Sequence, residues 1–230
     1  MSTGTMREPL SRDRVLAAAI EIADAEGLRA VTMRRVAAEL RVEAMSLYHH
    51  VPGKDALLDG LVDAIVAEIG ATIDSRDGTF GGDRDWHTAL RQRCLSARDV
   101  MERHPWAPGL VSSRTTIPVA LYAYYEEILA TLVGGGFSYH LAHRALHALG
   151  SMALGFAQEL FSPAPAGGEL DEEAAAAELA QMAEVMPHLT AMVAAELHDH
   201  EEDPLGWCDS RAEFEFTLDL LLDGLARARG

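Results

Sequence analysis

Apolar residues recur at spacings of three and four along most of this chain, and the strict alternation of a strand is nearly absent. The pattern predicts an all-α fold. Val15, Ala18, Ala19, Ile22 and Ala23 form one stripe of a first helix over Arg12–Glu26, with Ser11 as its N-cap and Gly27 as its stop. Thr32 caps a second helix, Met33–Leu40, whose inner side is Val36, Ala37 and Leu40. Arg41 and Val42 form a turn. A third helix is expected from Glu43 to about His50, with Leu47 and Val51 facing inward. Pro52 and Gly53 break the chain, and a fourth helix over 54–73 carries Leu57, Leu58, Leu61, Val62, Ile65 and Ile69.

Beyond it the composition shifts. Residues 74–83, rich in Gly and Asp, read as a loop, and a helix over 86–103 stops at the run His104-Pro105-Trp106-Ala107-Pro108-Gly109. A further helix over 118–132 is closed by Gly134, Gly135 and Gly136, and Ser138 caps a long apolar helix to about Phe161. Residues 162–168 are a Pro/Gly/Ala loop, the Ala/Glu-rich run 171–198 is helical with a kink or break at Pro187, and 199–206 is an acidic loop. A last helix over 210–228 presents Phe214, Leu218, Leu221, Leu222 and Leu225. This gives about nine helices and no internal repeat. The expected organisation is a loose arm over 1–10, a helix-turn-helix three-helix domain over 11–53, and a helical-bundle domain over 54–230 entered through a connecting helix, 54–73.

Charge changes the picture. The net charge is −17, which argues against a protein that coats nucleic acid. Residues 1–58, however, hold 8 Lys/Arg and 8 Asp/Glu, so the whole excess lies beyond residue 58. Only the N-terminal part can approach phosphate, and the acidic remainder is repelled. Two unpatterned cysteines, Cys94 and Cys208, fit a reducing cytoplasm rather than a disulfide scaffold. Residues 1–10 lack the apolar core of a signal peptide, and the most apolar stretch, 146–161, is interrupted by His147, Gln158 and Glu159, so no membrane span is expected.

The second and third helices have the proportions of a helix-turn-helix, whose second helix meets base edges in a major groove. Leu40, Val42, Leu47 and Val51 supply a small apolar core between them, leaving Glu43, Ala44, Met45, Ser46, Tyr48 and His49 outside. Ser46 and Tyr48 can bond phosphate or base, and Ala44 and Met45 can meet thymine methyls. Arg34 can pair with guanine O6 and N7, a contact worth about 1–3 kcal/mol of discrimination. Lys54, at the start of the fourth helix, suits a phosphate. The competing reading is an ordinary trihelical packing unit in which Tyr48 and the histidines cap a core.

As a set, the Thr32-x-Arg34 opening, the Ala37-x-x-Leu40-x-Val42 turn, the Leu47-Tyr48-x-His50-Val51 end and the Lys54-x-x-Leu57-Leu58 start make residues 11–70 resemble the N-terminal domain of the TetR family of bacterial transcriptional regulators. The remainder resembles the tetracycline-repressor-like C-terminal domain. The resemblance implies a homodimeric regulator of double-stranded operator DNA, most simply a repressor, released by a small-molecule effector. It places Thr32, Arg34, Ala44, Met45, Ser46, Tyr48, His49 and Lys54 at positions that meet DNA. Two residues depart from the family pattern: Arg41 stands where the turn usually has Gly, and Glu43 where the cap is usually Ser or Thr.

For the larger domain, Met101, His104, Trp106, Leu110, Tyr122, Tyr125, His147, Phe156 and Met182 are candidate effector contacts, being apolar or amphipathic on segments expected to surround a pocket. The resemblance aligns His104 with a histidine that holds a metal–drug complex in tetracycline-binding members, but Pro105-Trp106 follows and the neighbouring polar set differs. Tetracycline recognition is therefore not implied, and His104 serves equally as a helix end. Ala145, Leu149, Met152, Phe214, Leu218, Leu221, Leu222 and Leu225 are candidate dimer contacts, although an intramolecular core explains the same stripes. His140, His143 and His147 share a helix face at zinc-compatible spacing without a cysteine or carboxylate beside them, so no metal or cofactor is expected. Rival readings are an all-α metal enzyme built on that face and a binding module that no longer contacts DNA.

Overall fold

The computed structural model describes residues 9–77, 85–156, 183–196 and 210–230. Regular structure among them is entirely helical: α1 (Arg12–Glu26), α2 (Met33–Leu40), α3 (Ala44–Leu47), α4 (Lys54–Asp77), α5 (Trp86–Arg103), α6 (Ala107–Ser113), α7 (Val119–Gly134), α8 (Tyr139–Phe156), α9 (Pro187–Glu196) and α10 (Ser210–Arg229). A 3-10 turn at Leu28–Ala30 joins α1 to the approach of α2. Most of the expected arm, the 162–168 and 199–206 loops, most of the 171–198 run with Met182, and residues 78–84 lie outside the described residues.

The local signals at the N-terminal end act as their chemistry dictates. Ser11 Oγ accepts from the Arg14 backbone N–H at 3.2 Å, and Thr32 Oγ1 from the Arg35 N–H at 3.1 Å. Both hydroxyls satisfy a donor that its helix leaves free. Arg41 ends α2 at φ 55°, ψ 47°, the left-handed region that glycine occupies without strain. The strain costs on the order of 1 kcal/mol, offset by the turn it closes, in which Val42 N–H bonds Ala37 O at 3.0 Å. Helix α3 is shorter than expected, ending at Leu47 rather than about His50. Pro52 disfavours helical backbone at Val51, and the chain tightens through a His50 N–H to Leu47 O bond of 2.9 Å.

One further feature departs from the sequence reading. The 104–109 run, read as a stop, contains the start of α6, because Pro108 sits in the first turn of a new helix where no N–H is needed. The break expected at Pro187 is present: residues 183–185 are helical, 186 is not, and Pro187 starts α9.

Packing divides the chain into two compact units, residues 1–157 with 218–230, and residues 158–217. In the second, the described residues include α9 and the start of α10, where Arg211 Nε donates to Glu215 Oε1 at 3.0 Å. In the first, packing runs across the boundary expected at 53/54. One apolar cluster joins Val15, Ile22, Val36, Leu47 and Val51 to Leu57 and Leu61 of α4, and includes Leu110 of α6. A second cluster, Ile65, Ile69, Ala97, Val100 and Ala107, continues along α4.

The far end of this unit is fastened at Gly135. Trp86 lies edge-on to Phe137 with centroids 4.7 Å apart, and the Arg229 guanidinium lies 5.5 Å from the Trp86 ring centre while Nη1 donates to Gly135 O at 2.7 Å. A Cβ on Gly135 would come within 2.7 Å of Trp86 Cβ, an atom too close to backbone to swing away. Gly135→Ala is expected to lower stability by about 2 kcal/mol, read as a lower urea midpoint at unchanged slope.

Candidate nucleic-acid interface and effector cavity

Helix α3 stands out from the first apolar cluster on one buried residue, Leu47. Met45 is 73% exposed and Tyr48 45%, and Glu43 and His49 are also exposed. A methionine this exposed on a four-residue helix has no packing role in the chain. Ser46 is half-buried with its residue on the same short helix, whereas Ala44 leans onto the cluster and is less available than expected. Thr32 is exposed, but its hydroxyl is occupied by the cap. On α2, Arg35 is held by Glu26 at 2.6 Å and Glu39 at 2.7 Å. Arg34 is exposed and has no ion-pair partner among the described residues. Lys54 is exposed at the first residue of α4. The exposed set beside the capped Thr32 is therefore Arg34, Glu43, Met45, Tyr48, His49 and Lys54, with Ser46 half-buried on the same helix.

A cavity of about 360 Å³ lies farther along the same unit, among α4, α5, α7, α8 and the 111–117 segment. Ile65 and Ile69 of α4, Leu90 and Ala97 of α5, and Ile128 of α7 make it strongly apolar. Of the expected effector contacts, Met101, Tyr125 and His147 line it. His104, Trp106, Leu110, Tyr122 and Phe156 do not. Leu110 is buried in the first cluster, Tyr122 is 56% exposed, and Trp106 packs between the two clusters. Arg93, Cys94 and Tyr124, not anticipated, do line it. The signal was present: Leu90, Arg93, Cys94, Ala97 and Met101 form one stripe at helical spacing, with an arginine set among apolar positions. Burial pushes the Cys94 thiol up to about 12 and raises Tyr124 and Tyr125, so all three walls are uncharged near neutrality.

Two polar bridges join this region to the α3-bearing end. His104, 8% exposed, places Nδ1 2.7 Å from Asp24 Oδ1 on α1 and Nε2 3.0 Å from Glu68 Oε2 on α4. Carboxylates only accept, so both contacts are hydrogen bonds when the ring carries two protons. Trp106 Nε1 donates to the same Asp24 oxygen at 2.6 Å, and Arg103 Nη2 to Glu68 Oε1 at 2.6 Å. Partial burial raises the Glu68 carboxyl, but the bonds from Arg103 and His104 outweigh it and hold the group below its ordinary 4.5. The second bridge is Arg114, between the cavity residues Val111 and Ile117. Its guanidinium lies 2.7 Å from Asp59 and 3.7 Å from Asp55 at the start of α4.

The expected dimer contacts are mostly spent within one chain. Ala145, Leu149, Met152, Phe214, Leu218 and Leu222 are buried, and Leu149 lines the cavity; Leu221 and Leu225 are half-buried. Exposed apolar residues on α10 are Phe216 at 62% and Leu220 at 54%. His140, His143 and His147 are exposed, with the last two rings 4.6 Å apart, and among the described residues no three His, Cys, Asp or Glu side chains gather as a metal site.

Residues 15–61 match the family described as bacterial regulatory proteins, tetR family, and residues 81–229 match the tetracyclin repressor-like C-terminal domain. The chain is 38% identical over 123 residues to the HTH-type transcriptional repressor DrrR1 of Streptomyces coeruleorubidus, a match covering 54% of this chain and 43% of that one. It therefore spans less than half the length of DrrR1. The class C tetracycline repressor protein of Escherichia coli is 28% identical over 221 residues, covering 96% of this chain and 92% of its own. The crystal structure of ActR from Streptomyces coelicolor in complex with actinorhodin superposes with TM-score 0.71 at 27% identity, covering 97% of this chain and all of that one. A helix-turn-helix head followed by a repressor-type helical domain, matched along most of the sequence, places the chain in the TetR family of bacterial regulatory proteins.

Proposed function

We propose that the protein is a cytoplasmic, homodimeric, ligand-responsive repressor. Its α3 face reads operator DNA, and a small molecule in the cavity lowers operator affinity. The observation that carries this reading is the double use of α4. Leu57 and Leu61, in its first half, pack the core that holds α3, while Ile65 and Ile69, in its second half, wall the cavity. A helix that borders both sites cannot shift at one without loading the other. The His104 and Arg114 bridges add polar fastening along the same path.

A ligand acts only through its different affinity for the two arrangements. A coupling of about 1–3 kcal/mol corresponds to a roughly 5–150-fold fall in operator affinity. The described relatives support the parts of this reading: DrrR1 is named a repressor, and ActR has been crystallised with actinorhodin. No described helix is long and apolar enough to cross a membrane.

Alanine at Arg34, Ser46 or Tyr48 is expected to weaken binding to operator DNA without moving the unfolding midpoint. Arg34→Ala also relaxes preference at one base position by about 1–3 kcal/mol. Fluorescence anisotropy with labelled duplexes, beside urea unfolding, checks both; unchanged affinity in all three would remove the readout assignment. Dimerisation through α10 is expected to need its exposed apolar residues. Leu220→Glu should shift the sedimentation coefficient to that of a monomer at micromolar concentration, while a dimer persisting in this variant would move the interface elsewhere.

A further inference from the structure

Among the described residues the apolar cavity is lined by one guanidinium, Arg93, and its surroundings narrow the chemistry of the molecule it admits. Arg93 is 8% exposed. Nη1 donates to Glu127 Oε2 at 2.8 Å, and the guanidinium carbon lies 5.2 Å from the centre of the Tyr124 ring. The ion pair and the ring fix the guanidinium plane. No described residue accepts from its remaining N–H groups, and the walls beside it, Cys94, Ala97 and Ile128, offer no strong acceptor. A guanidinium only donates, so the complement comes from water or from the molecule that displaces it.

The charge balance sets the second condition. Glu127 already neutralises Arg93, and among the described residues no other Lys or Arg lines the cavity. An ionised acid would leave an unbalanced negative charge in an apolar wall beside Glu127, and a protonated amine would meet a like charge that has no lone pair to accept its protons.

We propose that this cavity takes a neutral, predominantly apolar molecule that accepts a hydrogen bond from Arg93 through a carbonyl-type oxygen, and that Glu127 excludes ionised acids. The inference rests on the effector reading of the cavity. Arg93 is the anchoring donor and Glu127 the selectivity residue. Tyr125 of α7 and His147 and Ser151 of α8 also line the cavity and supply secondary polar contacts.

Three matched probes test it by calorimetry: 2-acetylnaphthalene, 2-ethylnaphthalene and 2-naphthoate. Arg93→Met is expected to reduce the ketone-to-hydrocarbon affinity ratio about 10-fold, the loss of one charge-assisted hydrogen bond. Glu127→Gln, on the more exposed partner, is expected to raise 2-naphthoate affinity about 10-fold while changing ketone affinity less than about threefold. Gly150→Leu, in the cavity wall where a Cβ meets nothing within 4 Å, is expected to block all three probes and so locates the binding. An affinity ratio untouched by Arg93→Met, or 2-naphthoate binding indifferent to Glu127, overturns the acceptor assignment while a blocking Gly150→Leu leaves the cavity reading standing. Probes that bind unaffected by Gly150→Leu, or no binding by any probe, overturn both.

Discussion

Leu47→Ala is expected to cost about 3 kcal/mol of stability and to abolish operator binding at concentrations where the unmodified protein is saturated. Leu47 is the one fully buried residue of α3, with Ala44 packing only partly against the same cluster. A four-residue helix cannot hold itself in water, so its placement depends on that anchor and on the turns either side. Core leucine truncations cost about 2–5 kcal/mol, which is a large share of the 5–15 kcal/mol that typically separates folded from unfolded chains. The two consequences are read separately, by the urea midpoint and by anisotropy with duplex DNA under conditions where the variant remains folded. A variant that keeps full affinity would show that α3 is held by something other than its core contact.

His104→Leu is expected to cost about 3 kcal/mol and to weaken the response of the DNA-reading end to an occupied cavity. The ring makes two hydrogen bonds to carboxylates, each worth about 1.5–3 kcal/mol when charged. Asp24 and Glu68 are each about a third exposed at 34% and 35%, so they recover part of that through water. Trp106 still donates to Asp24 and Arg103 to Glu68, so neither carboxylate is orphaned. The acid limb of stability separates this role from mere packing. Glu68 titrates lower in the fold than the ordinary 4.5, so its stabilisation is fully present above that value and is lost as pH falls through the lower folded value. Without His104 that depression is smaller, and the variant loses less stability on acidification than the unmodified protein. Urea midpoints measured across the acid range check the sign. An identical acid limb in the two proteins would place His104 outside the ionic bridge.

The helix-turn-helix head was legible because its determinants are local. Ser11 and Thr32 cap the helices they precede, and the apolar stripe of α1 points where its spacing says. The left-handed turn forms even with Arg41 in it, with Leu40 and Val42 on either side both packed against the first cluster. The 104–109 run was harder, because a proline breaks a helix it interrupts and favours one it begins. The cavity was only partly legible for a different reason. Which residues line it depends on how five segments meet, and periodicity reports an apolar face without saying what that face meets. His104 and Trp106 have the amphipathic character of pocket residues but spend it on Asp24. Ala145, Met152, Leu218 and Leu222 have the stripe of an interface but fill their own chain's core. Arg93 lies in the apolar stripe of α5 that lines the cavity and is the charged departure from it.

The central claim is that the exposed α3 face reads duplex sequence while the cavity biases it through α4. Selection from a random duplex library with the unliganded protein at moderate salt tests the first half, on which the second depends. The account predicts enrichment of two inverted half-sites about one helical turn apart, with enrichment lost in Tyr48→Ala. Unenriched pools, or a selected sequence bound equally well by Tyr48→Ala, Ser46→Ala and Arg34→Ala, would contradict it.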